Sequence, residues 1–465
     1  MASEDSEAAA LGHRYLIKRP KVLQYFYGGQ LKKANDEERQ AGRFELFLDL
    51  LYVALVANMA ENFADHANGN GLVKYMLIFR HAWSDLREVM NSYYNDDLLQ
   101  RCLILWVMGL LILYASSGEP IDESENDGIP GLSALRATTG AYMTARLTII
   151  LIYYIYSFAS HQHRPQARIF ASLNLVGLFL WIPMFFETIS LRGKIAVAVV
   201  AIVYEEAAWI WSFGPWVKKM LKLEYSTAVD VEHEIDRQAA FYIIVLGEFV
   251  YGIVVGSPAG IGLTLNYFRA VEVLVIAFSF NWIYVNRDGS IESTHPLSRS
   301  VVSAFIWFII HLPLTASLLI GGHVASVSVG KEGLESGERW LLCGGLAAGL
   351  FCLWIIGVLE NGRDPPKILI MPKPVRMLPR LLCAITLAAV PLADSLNVTQ
   401  LLSIPTGLIL FIVVWETIGA LKRCSNIFES WRDTISEENA AVEKSESKPA
   451  MLDGNRGELM STLEQ

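Results

Sequence analysis

RFELFLDLLYVALVANMAENFADH, residues 43–66, is the stretch whose reading decides the fold. From Phe44 to Ala60 it is almost wholly apolar, and a helix crosses the hydrocarbon of a bilayer in about 20 such residues. Yet Glu45 and Asp49 stand at its start, and Glu61 and Asp65 at its end. Carboxylates on a spanning helix are costly and normally face a protein interior or a hydrated cavity. Glu45 and Asp49 are four residues apart, so one helix face carries both. The stretch therefore reads as the first span of a polytopic protein with an acidic interior, for which histidines and arginines elsewhere supply the partners.

Working outward, the composition agrees. Of 465 residues, 53% are apolar types and 18% are charged, against roughly 25% charged in soluble proteins. Mean hydropathy is +0.36. Apolar runs recur at about 44–65, 74–93, 101–117, 136–159, 168–190, 194–213, 239–257, 268–286, 301–324, 339–361, 377–394 and 401–421. The expected fold class is all-α, a polytopic transmembrane helix bundle of about 12 spans (10–12). The second run holds Arg80, Asp85, Arg87 and Glu88; it either crosses with a polar face turned inward or lies in the interface. Pro183 and Pro313 fall inside runs, where kinks or freed carbonyls are expected.

Three parts follow: a basic N-terminal segment at 1–43, a transmembrane domain at 44–421, and an acidic, largely disordered tail at 422–465. The first carries eight Lys and Arg, which places it in the cytoplasm by the positive-inside rule. With twelve spans, the basic connections at Arg164/Arg168, Lys218–Lys222, Arg287/Arg299 and Arg363–Arg376 fall on the same side. The acidic segment 119–127, the uncharged turn at 257–266 and the stretch 325–338 fall on the other. Both termini are then cytoplasmic, in a plasma membrane or an endomembrane. The sequon Asn397-Val398-Thr399 falls on the outer side, which makes Asn397 a glycosylation candidate. The first 40 residues hold no short apolar core before a cleavage site, so no signal peptide is expected. The net charge of −9 and the absence of a basic face argue against a nucleic-acid partner.

A second charged cluster is EHEIDRQAAFYIIVLGE at 232–248. His233 and Arg237 are i and i+4, and Glu248 lies eleven residues further along the same face, near mid-bilayer. Arg146, Glu205 and His311 are partners at membrane depth, and the end of the second run supplies Asp96, Asp97 and Arg101. Two readings of this set stand side by side: ion pairs that lock helices together, and a polar pathway for protons or ions. No second histidine stands at helical spacing from His233, so no metal site is assigned. No phosphate-binding loop, nucleophile elbow or dinucleotide fingerprint occurs; no cofactor and no catalytic residue is assigned. The five cysteines form no paired motif and read as small apolar residues.

Three of these clusters together resemble the low temperature requirement A (LtrA) family of multi-pass membrane proteins. They are FELFLDLLYV at 44–53, Asp96-Asp97 followed by Arg101, and His233, Asp236 and Arg237 followed by IIVLGE at 243–248. His311-Leu312-Pro313-Leu314 is a fourth match. Order and spacing agree over 44–320, and the span count extends the likeness to about 420. Asp236 stands where the family usually has Glu, which keeps the acid on a shorter side chain. Loops and length resemble those of a fungal member. The resemblance implies a fold and a membrane location, and it implies no substrate.

Three functions fit. The first is a proton- or ion-coupled transporter or channel, with Glu248, Glu45 and Asp49 as carriers and Arg146 or Arg237 tuning them. The second is a non-catalytic membrane protein supporting growth at low temperature. The third is a membrane-embedded enzyme, such as a cyclase, acting on a lipid or isoprenoid with Glu248 or Asp49 as its acid; the lack of a reaction-specific motif weighs against it. Expected partners are the lipid bilayer, a small molecule or ion, and a second copy of the chain. The sharpest expectation is that FELFLD packs on the 233–248 helix and the Asp-Asp element as one polar site open to the cytoplasm.

Overall fold

An apolar run in a bilayer must satisfy its backbone groups within itself, and the α-helix does so. The computed structural model describes residues 16–27, 30–33, 42–65, 81–93, 97–116, 130–364 and 368–423. Its helices are α1 (Arg43–Asp65), α2 (His81–Tyr93), α3 (Leu98–Ser116), α4 (Pro130–Ala159), α5 (Arg164–Phe179), α6 (Leu191–Phe213) and the short α7 (Pro215–Met220). They continue as α8 (Val231–Val254), α9 (Leu265–Asn286), the short α10 (Pro296–Arg299), α11 (Val301–Ser328), α12 (Ser336–Leu359), α13 (Lys373–Ala389) and α14 (Val398–Gly419). Among the described residues, ten helices are long and apolar enough to cross a membrane: α3 to α6, α8, α9 and α11 to α14. The chain is therefore an integral, multi-pass membrane protein, close to the expected number of spans.

The two remaining runs are the charged ones. α1 has 23 residues, about 34 Å of helix. Of the run 74–93, the described part is the 13-residue α2, too short to cross alone. It nevertheless completes a return. α1 starts beside the first turn of α8, and Ser92, at the end of α2, is back at that end of the bundle. There its carbonyl accepts the Leu23 amide at 3.3 Å.

Two short stretches of the basic N-terminal segment form strands, which composition did not foretell. β1 (Gln24–Tyr27) and β2 (Gln30–Lys33) pair antiparallel with Tyr27 opposite Gln30. The intervening sequence is Gly28-Gly29, a pair that two-residue hairpins favour. On its other side β1 pairs with β3 (Tyr225–Thr227), just ahead of α8. Two-residue strands β4 (Ser293–Thr294) and β5 (Asn361–Gly362) pair likewise beyond α9 and α12.

Lipid-type side chains lie outside and charges inside. Leu105, Ile155 and Phe158 are exposed, while Arg237, Arg376 and Arg380 are among the largest fully buried side chains. Arg380 shows how such a charge is accommodated. Its Nε and Nη2 fork onto Glu416 of α14 at 2.6 and 2.7 Å, and Nη1 donates to the Leu353 carbonyl of α12 at 2.9 Å. α11 and α12 approach closely through glycines. A Cβ on Gly345 would stand 2.7 Å from the Ser317 carbonyl oxygen and 2.9 Å from the Gly321 Cα. Pro313 and Pro405 sit inside α11 and α14, as does Pro379 inside α13. Pro183 belongs instead to a 3₁₀ turn, Ile182–Phe185, that finishes the α5 span.

The close approach makes a paired prediction. Gly345→Val forces α11 from α12 and costs about 1–3 kcal/mol, as overpacking does, read as a lower thermal midpoint in detergent. Gly344→Ala, where a Cβ meets nothing within 4 Å, leaves the midpoint unchanged or raises it.

Candidate functional site

The first turn of α8 is built to present charge to α1. Asp230 caps the helix, accepting the His233 amide at 3.4 Å. The i, i+4 spacing then turns His233 and Arg237 to one side, where Glu45 and Asp49 present theirs. All four are fully buried. Arg237 Nη2 and Nε meet the two Asp49 oxygens at 3.2 and 3.4 Å, and Nη1 is 3.6 Å from Glu45 Oε1. His233 Nε2 stands 3.5 Å from the same Glu45 oxygen. The other Glu45 oxygen accepts the Gly42 amide at 2.7 Å, so Glu45 also satisfies the start of its own helix, where a carboxylate is favoured.

The adjoining face of α8 faces α2. Arg87 Nη1 pairs with Glu234 Oε1 at 3.0 Å, and Asn91 Nδ2 donates to Glu234 Oε2 at 2.8 Å. Gln238 Nε2 donates to Glu234 at 3.4 Å. The Arg87 guanidinium also lies over the Phe308 ring, 5.0 Å from its centroid.

Arg87 and Gln238 open onto a cavity inside the bundle. Its volume is about 60 Å³, room for several waters at roughly 10–15 Å³ each. On its far side Arg146 Nη1 pairs with Asp85 at 2.8 Å and Glu205 at 3.4 Å, and Nη2 donates to Asn174 Oδ1. Glu205 also accepts the Tyr142 hydroxyl at 2.8 Å and the Trp181 indole N–H at 2.9 Å. Glu88 lines the cavity with Trp209, whose indole N–H it accepts at 3.4 Å. On α11, His311 and Ile309 line the remaining wall. Pro313 has no N–H to give the Ile309 carbonyl. His311 Nδ1 lies 2.6 Å from the Trp307 carbonyl oxygen. That contact requires Nδ1–H, so Nε2 accepts the Tyr284 hydroxyl at 3.2 Å.

Of the residues singled out in the sequence, Glu45, Asp49, His233 and Arg237 come together, and Arg146, Glu205 and His311 meet around the cavity. Asp97 stands apart: it accepts the Gln100 amide of α3 and the Lys18 amide, each at 2.8 Å. Arg101 stacks over Phe44 at 4.8 Å. Asp236 is exposed and Glu248 half-buried, and Glu248 is not in the cavity wall. Asp96 lies outside the described residues. Asn397 caps α14 reciprocally with Gln400, and Thr399 of the sequon accepts Arg269 Nε at 3.0 Å. Glu234, Arg87, Asp85 and Glu88 also belong here, although the sequence reading assigned them to no site and noted the last three only as charges of the second run. Three of them sit in the least apolar run, and the i, i+4 pair Glu234/Gln238 was legible one step along from His233. No group of three or more His, Cys, Asp or Glu is placed to hold a metal among the described residues.

Outside the spans, His295 caps α10, its Nδ1 accepting the Leu297 amide at 3.3 Å. Its Nε2 is 3.9 Å from the buried Glu360. Burial, and then the nearby Arg287 and His311, pull His295 down to about 3. Burial pushes the Glu360 carboxyl up. An unfolded histidine takes up its proton near 6.5, whereas His295 stays neutral in the fold. Its contribution is therefore complete above pH 6.5 and is lost as pH falls toward 3. His295→Asn keeps a capping oxygen and removes the titration. Wild type should lose stability relative to this variant on going from pH 7 to pH 5, by less than the ~1.4 kcal/mol per pH unit of one proton. Midpoints of thermal unfolding at the two pH values check it; an unchanged difference contradicts it.

Residues 40–415 match the family model described as bacterial low temperature requirement A protein (LtrA). Comparisons with curated proteins and with solved structures find no match. The matched region runs from just before α1 into the last turns of α14 and holds both the Arg237 cluster and the cavity, so the chain belongs to the LtrA family.

Proposed function

We propose that this LtrA-family protein is a proton- or small-ion-coupled transporter or channel whose central site is the cavity between Arg87 and Arg146. One observation carries the reading. A space large enough for several waters lies within the spans and is walled by ionisable groups of both signs. Polar contacts lead from it through Gln238 and Glu234 toward the Arg237 cluster. Ionisable groups at membrane depth mark ion and proton paths by default.

The roles divide by pairing. Arg146 holds Asp85 and Glu205 in place through its ion pairs with both. Glu88 is the acid we assign to carry the proton. Its carboxylate accepts the Trp209 indole N–H, and no guanidinium lies within ion-pair distance of it among the described residues. His311, with Nε2 turned to Tyr284, is the relay on the opposite wall. Glu45, Asp49 and His233 form the entrance at the end of the bundle that bears the N-terminal strands. We place that end in the cytoplasm on the strength of its lysines. Glu248 is assigned no step.

A second reading is favoured by the closed pairing around Arg237 and Arg146: the charges only hold helices together, in a membrane protein that supports growth without transport. Purified protein in liposomes with an internal pH dye separates the two. Under an imposed pH or ion gradient, wild type should carry flux above empty vesicles. Glu88→Gln should carry at least about tenfold less, a change of roughly 1.4 kcal/mol or more in barrier, at an unchanged melting temperature. No flux in wild type under any gradient, or equal flux in the variant, overturns the transport reading.

A further inference from the structure

One surface of the molecule has a composition that neither packing nor the cavity accounts for. It begins where α6 ends. Gly214 turns the chain and Pro215 starts α7 at once, so α7 lies level with the end of a span. The turn leaves no room for a side chain: a Cβ on Gly214 would stand 2.4 Å from the Trp216 ring and 2.6 Å from the Ile210 carbonyl oxygen. Trp211, in the last turn of α6, and Trp216 lie nearly parallel, their planes 7° apart and centroids 6.4 Å apart. Both are about half exposed, and Met220 and Leu221 beside them are exposed as well.

Cations are interleaved with these apolar groups. Residues 211–222, WSFGPWVKKMLK, hold three lysines and no acid. The Lys218 ammonium lies 5.2 Å from the Phe26 ring centroid, which joins α7 to the β1–β2 hairpin. That hairpin adds exposed Leu31 and Tyr27 together with exposed Lys32 and Lys33. Residues 16–33 hold five Lys and Arg and no acid. The ion pair that compensates this face is Lys33 with Glu232 at 3.8 Å, between two well-exposed side chains.

We infer that the face formed by α7 and the β1–β2 hairpin docks on anionic lipid headgroups of the adjacent leaflet. Each component has its place in such an interface. Indoles at the end of a span settle at headgroup level. Met220 and Leu221 enter the acyl boundary, as the apolar face of an interfacial helix does. Lys218, Lys219, Lys222, Lys32 and Lys33 meet the phosphates, and lysine stems reach a polar layer while covering apolar surface. A soluble anion would need the lysines alone; a bilayer surface uses the aromatic and aliphatic groups too.

Docking here bears on the polar cluster. β1 holds β3 with Tyr25 opposite Thr227, three residues before Asp230, the cap of α8. A lipid that orders the hairpin therefore steadies the helix that carries His233 and Arg237. The inference does not depend on transport.

The test uses the full chain in neutral detergent at low salt. Unfolding is followed on adding phosphatidylglycerol, phosphatidylcholine, or inorganic phosphate at matched phosphorus. Phosphatidylglycerol should raise the midpoint by several degrees over phosphatidylcholine, and the rise should collapse at 1 M salt, where the Debye length falls to about 3 Å. The variant Lys32→Gln/Lys218→Gln/Lys219→Gln/Lys222→Gln should match wild type in phosphatidylcholine and lose the response. Equal stabilisation by the two lipids, or a response kept by the variant, overturns the inference. An equal response to inorganic phosphate also overturns it, by showing an anion site instead of a lipid face. A readout independent of the lysine variant is Trp216→Cys carrying a polarity-sensitive dye. Its emission should shift to the blue in phosphatidylglycerol bilayers relative to phosphatidylcholine bilayers, and identical spectra contradict the docking.

Discussion

The structure depends most on the Arg237 guanidinium, held between Asp49 and Glu45. A buried charge is tolerable only when a partner and further hydrogen bonds replace its water. Inside a bilayer no water stands ready, so an arginine on one helix selects the helix that can answer it. Arg237 of α8 selects α1. Arg146 of α4 selects α2 and α6 through Asp85 and Glu205. Arg380 of α13 selects α14 through Glu416. These pairs set register, while close glycine contacts such as Gly321 with Gly345 supply the packing that apolar surfaces cannot direct in lipid. Removing one partner of such a pair strands the other, which is why both are present on long, otherwise apolar helices.

The cavity follows from the same constraint. Where several charged side chains converge, their heads need a wet or polar enclosure, and the helices cannot close on one another. α2 supplies Asp85, Arg87 and Glu88 to that enclosure. It can carry so many charges because they are answered on different sides: Asp85 by Arg146 and Arg87 by Glu234. Glu88 differs in meeting an indole, and this difference is why the transport reading gives the proton to it.

Much of this was legible in the sequence. Apolar run lengths located the spans, and the period of the helix put Glu45 with Asp49 and His233 with Arg237 before any contact was known. Extrapolation along one face failed over longer distances. Arg237 and Glu248 share a face, but eleven residues are about 16 Å of helix, and by then α8 has different neighbours. The Asp-Asp element pointed to a shared site, yet Asp97 caps its own helix through the Gln100 amide, the common use of aspartate at a helix start, and its other oxygen takes the Lys18 amide of the N-terminal segment. Asp236 keeps the family's acid and turns it outward. Spacing carries no information on which distant helix answers an arginine, so the pairing of Asp85 with Arg146 was out of reach. So was β3, a partner for β1 some two hundred residues away.

The account turns on whether water occupies the cavity between Arg87 and Arg146. Hydroxyl radicals generated in place by a brief X-ray pulse, with peptide mass spectrometry, report water beside buried side chains directly. Trp209 and Phe308, which line the cavity, should be oxidised well above Phe249 and Phe280, which are fully buried elsewhere. Oxidation of Trp209 and Phe308 at the level of Phe249 and Phe280 would mean a dry cavity and would contradict the account.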